Sequence, residues 1–204
     1  MNKAKPASAS KTAKRVTTTK NQASTQGKKS AEATKATSPK AETSSAATLT
    51  VGQKAPTFTL LDDAGKTVKL SDLKGKTVVL FFYPKDDTPG CTKEACSFRD
   101  GLRDIRKRGA IVIGVSPDSV ESHQKFSKKF ELNFPLLSDV EKTMLQAYGV
   151  WKEKSMYGRT YMGVERTTFI IDEKGKIAAV FPKVKVEKHF DQVLDALHEM
   201  SATS

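Results

Sequence analysis

The sequence predicts an α/β sandwich built around a central, partly parallel sheet. The main evidence is two apolar runs, at residues 77–83 and 110–116, which have the length and continuity of strands buried on both faces. A pattern typical of a helix follows each run, and such alternation favours parallel pairing. One predicted hairpin before the first run and another near the end of the chain make the sheet mixed.

Turn and cap signals define the first half of the domain. Residues 55–61 and 67–70 are predicted as strands, because the Asp-Asp-Ala-Gly sequence at 62–65 between them is typical of a turn. A helix is predicted from residue 89 to about 108, where Gly109 is the residue type that most often follows a helix C-terminus.

The same signals define the second half. Ser119 is a good N-cap and predicts a helix to about Phe130. Residues 134–137 are predicted as a short strand at the sheet edge, where Pro135 would be tolerated. The remaining elements are a short helix at 142–148, a hairpin of strands at 167–172 and 176–181, and an amphipathic helix at 189–200 with Phe190, Val193, Leu194 and Leu197 facing inward.

The first 48 residues differ in composition from the rest of the chain. They contain no aromatic residue, and ten Lys or Arg stand against only Glu32 and Glu42, which gives a net charge of +8. Such a segment buries too little apolar surface to offset the entropy of ordering it, so residues 1–48 are predicted to be a disordered basic tail. The folded domain is predicted at residues 49–204, which is long enough for one core.

The cellular location follows from what the sequence lacks. No run approaches the roughly 18 apolar residues that span a bilayer, and no apolar segment follows the first lysines as in a secretory signal. A cytoplasmic protein without membrane contact is therefore expected. In a reducing compartment, two close cysteines favour catalysis or redox chemistry over a structural disulfide.

Both cysteines lie in one short segment, and the first, Cys91, falls where a strand gives way to a helix. Thr88 is a good N-cap and Pro89 a favoured first helical residue, which places Cys91 in the first turn. Unpaired N–H groups and the helix dipole make this position electropositive, so it favours a reactive thiolate over a thiol.

The second cysteine, Cys96, follows five residues later. On an intact helix five residues rotate by about 140° and separate the Cα atoms by roughly 8–9 Å, whereas a disulfide needs about 7 Å or less. A disulfide would therefore require the first turns to unwind; the alternative is that Cys96 is a small buried apolar residue. The spacing is not the Cys-x-x-Cys of dithiol reductases, and the two cysteines with His123, His189 and His198 show no zinc-ligand spacing.

The pattern Pro84-x-x-x-Thr88-x-x-Cys91 resembles the active-site signature of peroxiredoxins, and Cys96 resembles the second cysteine of the bacterioferritin-comigratory, or peroxiredoxin Q, branch. The resemblance extends from about residue 49 to 200 and includes the opening Val-Gly-Gln-Lys-Ala-Pro at 51–56 and the run Phe-Arg-Asp at 98–100. It implies a thioredoxin-like three-layer fold and reduction of hydrogen peroxide and organic hydroperoxides without metal, haem or flavin.

The resemblance also implies a role for each residue of the signature. Cys91 would be the peroxidatic cysteine and Cys96 the resolving cysteine, with an intramolecular disulfide reduced by thioredoxin. Thr88 would hydrogen-bond the peroxide and the thiolate, and Pro84 would shield the pocket from water. Arg166 would be the family's second-site arginine, a permanent charge that favours the thiolate. A monomer is expected, and Arg99 and Arg106 on the same helix are predicted to be solvated.

A second class of function stays open at this stage. The basic tail resembles those of chromatin-associated proteins and could bind nucleic acid weakly and without sequence preference. The chain would then be a peroxide sensor or a basic binding protein with a redox domain, located at a nucleoid or in a nucleus. The tail could also be a solvated extension, or a targeting segment for an organelle.

Overall fold

The computed structural model describes residues 49–202. The predicted disordered tail at 1–48 lies outside the described residues. Within them, seven strands form one mixed sheet, and two more form a separate hairpin. None of the helices in the described part of the chain is long and apolar enough to cross a membrane.

The elements follow the predicted order with one addition. The strands are β1 Thr59–Asp62, β2 Thr67–Lys69, β3 Thr77–Phe82, β4 Ala110–Ser116, β5 Leu136–Ser138, β6 Trp151–Met156, β7 Arg159–Val164, β8 Thr167–Ile171 and β9 Ile177–Phe181. The helices are α1 Pro89–Lys107, α2 Val120–Phe130, α3 Thr143–Ala147 and α4 Val186–Ala202, with a 3₁₀ turn at Leu70–Leu73. The strands of the main sheet lie in the order β2-β1-β5-β4-β3-β8-β9, and β6 pairs with β7 in the separate hairpin.

The centre of the sheet is covered on both faces, which explains the unbroken apolar run of β3. Val79 and Phe81 of β3 point into a core built with α1 and α4, whereas Val78, Leu80 and Phe82 point into a second core that includes α3. β3 pairs in parallel with β4 and antiparallel with β8. The predicted thioredoxin-like sandwich with a mixed central sheet is therefore confirmed.

Helices α1 and α4 pack closely on one face because a glycine lies between them. A Cβ atom added to Gly101 of α1 would fall 1.8 Å from the Phe190 ring of α4, so a larger residue there would force the helices apart. Gly109 ends α1 as predicted, with a φ of +72° that L side chains rarely adopt.

The prediction of an edge strand at 134–137 is wrong. β5 begins at Leu136 and lies inside the sheet, antiparallel to β1 and parallel to β4. Pro135 is tolerated because it precedes the strand, and its carbonyl accepts a hydrogen bond of 3.1 Å from the Gly114 N–H. The apolar residues of this run correctly predicted a strand. Three residues are too few to show which other strands would pair with it.

The hairpin of β6 and β7 was not predicted. Its strands lie largely at the surface, and polar and apolar residues do not alternate along them as in a half-buried strand. The signal that could have revealed it is Tyr157-Gly158, which forms the two-residue turn with φ values of +52° and +74°.

Candidate active site

The candidate site lies at the β3–α1 loop, residues 83–88, which connects the end of β3 to the start of α1. Cys91 is in the first turn of α1, as predicted, and is 1% exposed. Thr88 occupies the N-cap position with an extended backbone, but its hydroxyl donates to the Lys85 carbonyl at 3.1 Å and does not cap the helix. The free N–H groups at this helix end therefore remain available to stabilise negative charge near Cys91.

Arg166 reaches the same place from the neighbouring strand, β8, which it directly precedes. β8 runs antiparallel to β3, and its first residue, Thr167, lies opposite Phe82, the last residue of β3. Arg166, which precedes Thr167, therefore lies beside the end of β3. The Nη2 atom of Arg166 donates to Cys91 Sγ at 3.2 Å. The Arg166 side chain is 16% exposed, so its charge acts on the sulfur with little screening by water.

Glu94 completes the site and was missed by the sequence reasoning. It lies one turn after Cys91 and accepts a hydrogen bond from Nη1 of Arg166, so the guanidinium links the carboxylate and the sulfur. Burial raises the pKa of Glu94 to about 7 although the Arg166 charge opposes that rise. The usable signal was the three-residue spacing from Cys91, which puts both side chains on one helix face.

The second cysteine stands apart from this group. Cys96 is partly buried on the same unbroken helix, and both cysteines are free thiols. Pro84 is exposed at the start of the loop. The structure thus brings Cys91, Arg166 and Glu94 together, and it leaves Cys96 and the Thr88 hydroxyl outside that hydrogen-bonded group.

The two arginines of α1 that were predicted to be solvated, Arg99 and Arg106, have different surroundings. Arg99 is not fully solvated: its side chain is 29% exposed and Nη1 donates to the Phe130 carbonyl at 2.6 Å. Arg106 is exposed and donates to the Asn133 carbonyl at 3.2 Å. Both arginines tie the later part of α1 to the chain at the end of α2. Among residues 49–202, no three His, Cys, Asp or Glu side chains are grouped as metal ligands would be.

Comparison with known proteins places this geometry in context. Residues 51–180 match the AhpC/TSA family. Peroxiredoxin Bcp of Bacillus subtilis strain 168 is 52% identical over 154 residues, which cover 76% of this chain and 98% of the relative. Peroxiredoxin Bcp of Escherichia coli strain K12 is 45% identical over 151 residues, covering 74% and 97%.

A solved structure supports the same placement. Peroxiredoxin Q of Xanthomonas campestris superposes with a TM-score of 0.71 at 40% identity, and the match covers 74% of this chain and 98% of that chain. Nearly the whole length of each relative is therefore represented here by one folded domain. With the family match across most of that domain and identities of 45–52%, the chain belongs to the AhpC/TSA family, among the Bcp or peroxiredoxin Q peroxiredoxins.

Proposed function

We propose that this chain is a thiol peroxidase that reduces hydrogen peroxide and organic hydroperoxides through Cys91. The observation that carries the proposal is the Arg166 hydrogen bond to Cys91 Sγ at the start of a helix, where two sources of positive potential act on one sulfur. A relative supports the substrate class: the bacterioferritin comigratory protein of Xanthomonas campestris, with a TM-score of 0.71 and 40% identity, is described by its alkyl peroxide reduction activity.

The first chemical step follows from this arrangement. The Cys91 thiolate attacks one oxygen of the hydroperoxide, an S–O bond forms, and the O–O bond breaks. The other oxygen leaves with the electron pair and takes a proton, which gives water or an alcohol, and Cys91 becomes a sulfenic acid. Arg166 orients the peroxide and offsets negative charge. The Thr88 hydroxyl, which donates to the Lys85 carbonyl in this structure, would turn to hydrogen-bond the peroxide and the thiolate. Pro84, at the start of the β3–α1 loop, shields the pocket around Cys91 from water.

Cys96 is the proposed resolving residue. Its thiol condenses with the Cys91 sulfenic acid, a disulfide forms, and water leaves. Because both cysteines lie on one intact helix five residues apart, this step requires the start of α1 to unwind. An external dithiol, which we take to be thioredoxin, then reduces the disulfide by exchange. We expect a monomer to suffice, since one chain supplies both cysteines.

A coupled assay tests this function. Full-length protein is mixed with thioredoxin, thioredoxin reductase and NADPH, and NADPH consumption is followed on addition of hydrogen peroxide or an alkyl hydroperoxide. Continuous, peroxide-dependent consumption is expected. A peroxide sensor would instead consume one equivalent of peroxide per chain and stop, and that result would replace the peroxidase by the sensor.

The basic tail carries a second, independent proposal. We infer that the net charge of +8 on residues 1–48, which precede the domain at 49–204, binds nucleic acid without sequence preference. The observation in its favour is that charge, on a segment that lies outside the family match at residues 51–180. The cytoplasm remains the expected compartment, and a nucleoid, a nucleus or an organelle are the alternatives that the tail leaves open.

A further inference from the structure

A buried polar network lies beneath the β3–α1 loop and takes no part in the chemistry proposed above. Its centre is Asp86, in the middle of the loop, which is 6% exposed. One carboxylate oxygen of Asp86 accepts from the Tyr83 hydroxyl at 2.7 Å. The other oxygen accepts from the Ser122 hydroxyl at 2.7 Å and lies 2.9 Å from Nδ1 of His123.

His123 and Asp86 form a buried ion pair when the imidazole is protonated. The ring is fully buried on α2, and its Nε2 lies 3.2 Å from the Leu137 carbonyl of β5. The partners of its two nitrogens, a carboxylate and a carbonyl, can only accept hydrogen bonds. Both bonds therefore form together only when the ring carries two protons and a positive charge. Burial alone would raise the pKa of Asp86, but the hydrogen bond and charge of His123 and the hydroxyls of Ser122 and Tyr83 hold it below its usual value.

The backbone of the loop is held by a second set of contacts. The Asp86 N–H donates to Oδ2 of Asp118 at 2.9 Å, and the same oxygen accepts from the Ser116 hydroxyl at 2.7 Å. Asp87, the next residue, has a φ of +52°, a conformation that costs a non-glycine residue free energy unless its surroundings impose it. The loop is thus tied to β4, α2 and β5 at the residue that precedes this strained position.

The place of the ion pair suggests a purpose other than stability. Breaking such a pair is costly, but apolar residues of similar volume often stabilise a protein as well or better. The pair lies under a short loop that carries Pro84 and Thr88 and leads directly into the turn of Cys91. Directional bonds from three elements define one position for that loop, whereas apolar packing would allow several.

We propose that Asp86 and His123 are positioning residues, which hold the β3–α1 loop, with Pro84 and Thr88, in a fixed position at the helix start that carries Cys91. This inference rests on the proposed peroxidase function. Misplacing a reacting or orienting group by about 1 Å can lower a rate on the order of 100-fold. Loss of the pair should therefore impair the reaction with peroxide and spare reactions that need only the thiolate.

The test compares two reactions of the same sulfur. In full-length protein carrying Cys96→Ser, so that only Cys91 reacts, we would measure the single-turnover rate with hydrogen peroxide and the rate of alkylation by iodoacetamide. The variants are Asp86→Asn, His123→Gln and the double substitution. The matched control is Lys129→Ala, which removes the exposed ion pair that Lys129 makes with Asp87 on the same loop.

The expected result is a split between the two rates. In Asp86→Asn and His123→Gln the peroxide rate falls on the order of tenfold or more, since misplacement penalises the oriented reaction. Alkylation changes by less than about threefold, because it needs the thiolate but no oriented peroxide. The double variant falls no further than the worse single variant, as expected for residues acting through one contact. Lys129→Ala resembles the parent in both reactions.

Several results would overturn the proposal. Peroxide and alkylation rates that fall together, or a lower unfolding temperature with both rates unchanged, would make the pair structural only. A Cys96→Ser parent that fails to react with peroxide would remove the proposed function and this inference with it. If Asp86→Asn does not fold, Tyr83→Phe and Ser122→Ala each delete one hydroxyl from the network, and they must show the same split in smaller degree; equal rates in both reactions would contradict it.

Discussion

Nη2 of Arg166 lies 3.2 Å from Sγ of Cys91, although 75 positions separate the two residues. The antiparallel pairing of β8 with β3 brings them together, because it places the start of β8 beside the loop that leads to Cys91. The guanidinium remains charged at any working pH, so the sulfur always faces a cation and a helix N-terminus.

Replacing Arg166 tests that contact. Arg166→Ala should lower the rate with peroxide on the order of 100-fold, as does removal of one preorganised donor in other enzymes. Arg166→Lys should recover part of the rate, because lysine supplies a charge without the planar pair of donors. The thiolate absorbance at 240 nm should fall in Arg166→Ala at a fixed pH. The control is Arg159→Ala, in the exposed β6–β7 hairpin; equal rates for the two alanine variants would return Arg166 to an ordinary surface role.

The two cysteines should differ sharply on substitution. Cys91→Ser should abolish peroxide reduction, because no other nucleophile occupies the helix start. Cys96→Ser should keep one stoichiometric turnover and lose thioredoxin-dependent cycling, since the sulfenic acid then has no partner in the chain. Stopped-flow measurement of the first turnover and NADPH consumption separate the two effects. Cycling at the parental rate by Cys91→Ser would disprove the assignment.

Oxidation should unwind the start of α1 and no more. A disulfide between residues five apart cannot form on an intact helix, so amide protection at 91–98 should drop in the oxidised protein. Residues 99–107 should stay protected, because Arg99 and Arg106 bind carbonyls of Phe130 and Asn133. Hydrogen exchange of the reduced and oxidised protein measures both. Equal protection of 91–98 in the two states would rule out the intramolecular disulfide.

The sequence could predict what depends on local signals. The buried strands, the start and end of α1, and the place of Cys91 all follow from runs, caps and a glycine close by in the chain. The role of Arg166 at the active site could be predicted only from the family resemblance. The neighbouring sequence does not distinguish a catalytic arginine before a strand from a solvated one. Its contact with Cys91 depends on which strands pair.

Other features could not be predicted because they depend on burial. An acid one turn along α1 is usually a solvated charge, so Glu94 gave no sign that it would be 1% exposed. The partnership of Asp86 with His123 likewise joins residues 37 positions apart through the packing of α2 on the loop. The β6–β7 hairpin was missed for the opposite reason, since its exposed strands carry no pattern of burial.

Glu94 should make the stability of the protein depend on pH near neutrality. Its folded pKa of about 7 lies above the usual 4.5, so the folded state holds the proton more tightly. The resulting stability is full below about pH 4.5 and is lost as the pH rises through about 7, with a difference of roughly 2–3 kcal/mol between pH 5 and pH 8. Glu94→Gln should gain stability relative to its parent by that amount over this interval.

The measurement must separate Glu94 from other groups. Burial lowers the pKa of His189 to about 4, and the stability from that group is lost as the pH falls below 6.5, so the two trends oppose each other. Urea unfolding at pH 5 and pH 8 should therefore compare Glu94→Gln with its parent, both carrying Cys91→Ser to remove the thiol. The control, Glu187→Gln, changes an exposed acid of α4 and should show no such gain. A pH-independent effect of Glu94→Gln would mean that Glu94 ionises normally.

Removing residues 1–48 should leave the domain intact and take away any binding to nucleic acid. The described core draws on residues from Leu49 onward, so the unfolding temperature and the peroxide rate should match those of the full chain. The tail charge of +8 predicts weak binding to any duplex, with log K falling against log salt at a slope of about −7. A shift assay at low and moderate salt, on two unrelated duplexes, measures both.

A length-matched control distinguishes charge from chain length. Changing the nine tail lysines to glutamine keeps all 48 residues but removes most of the positive charge, so binding should be lost as fully as in the truncated protein. Binding that survives in this variant, or that prefers one duplex sequence, would contradict an electrostatic tail because phosphate contacts are blind to sequence. No binding by the full chain at low salt would reject the nucleic-acid proposal and leave a solvated extension or a targeting segment.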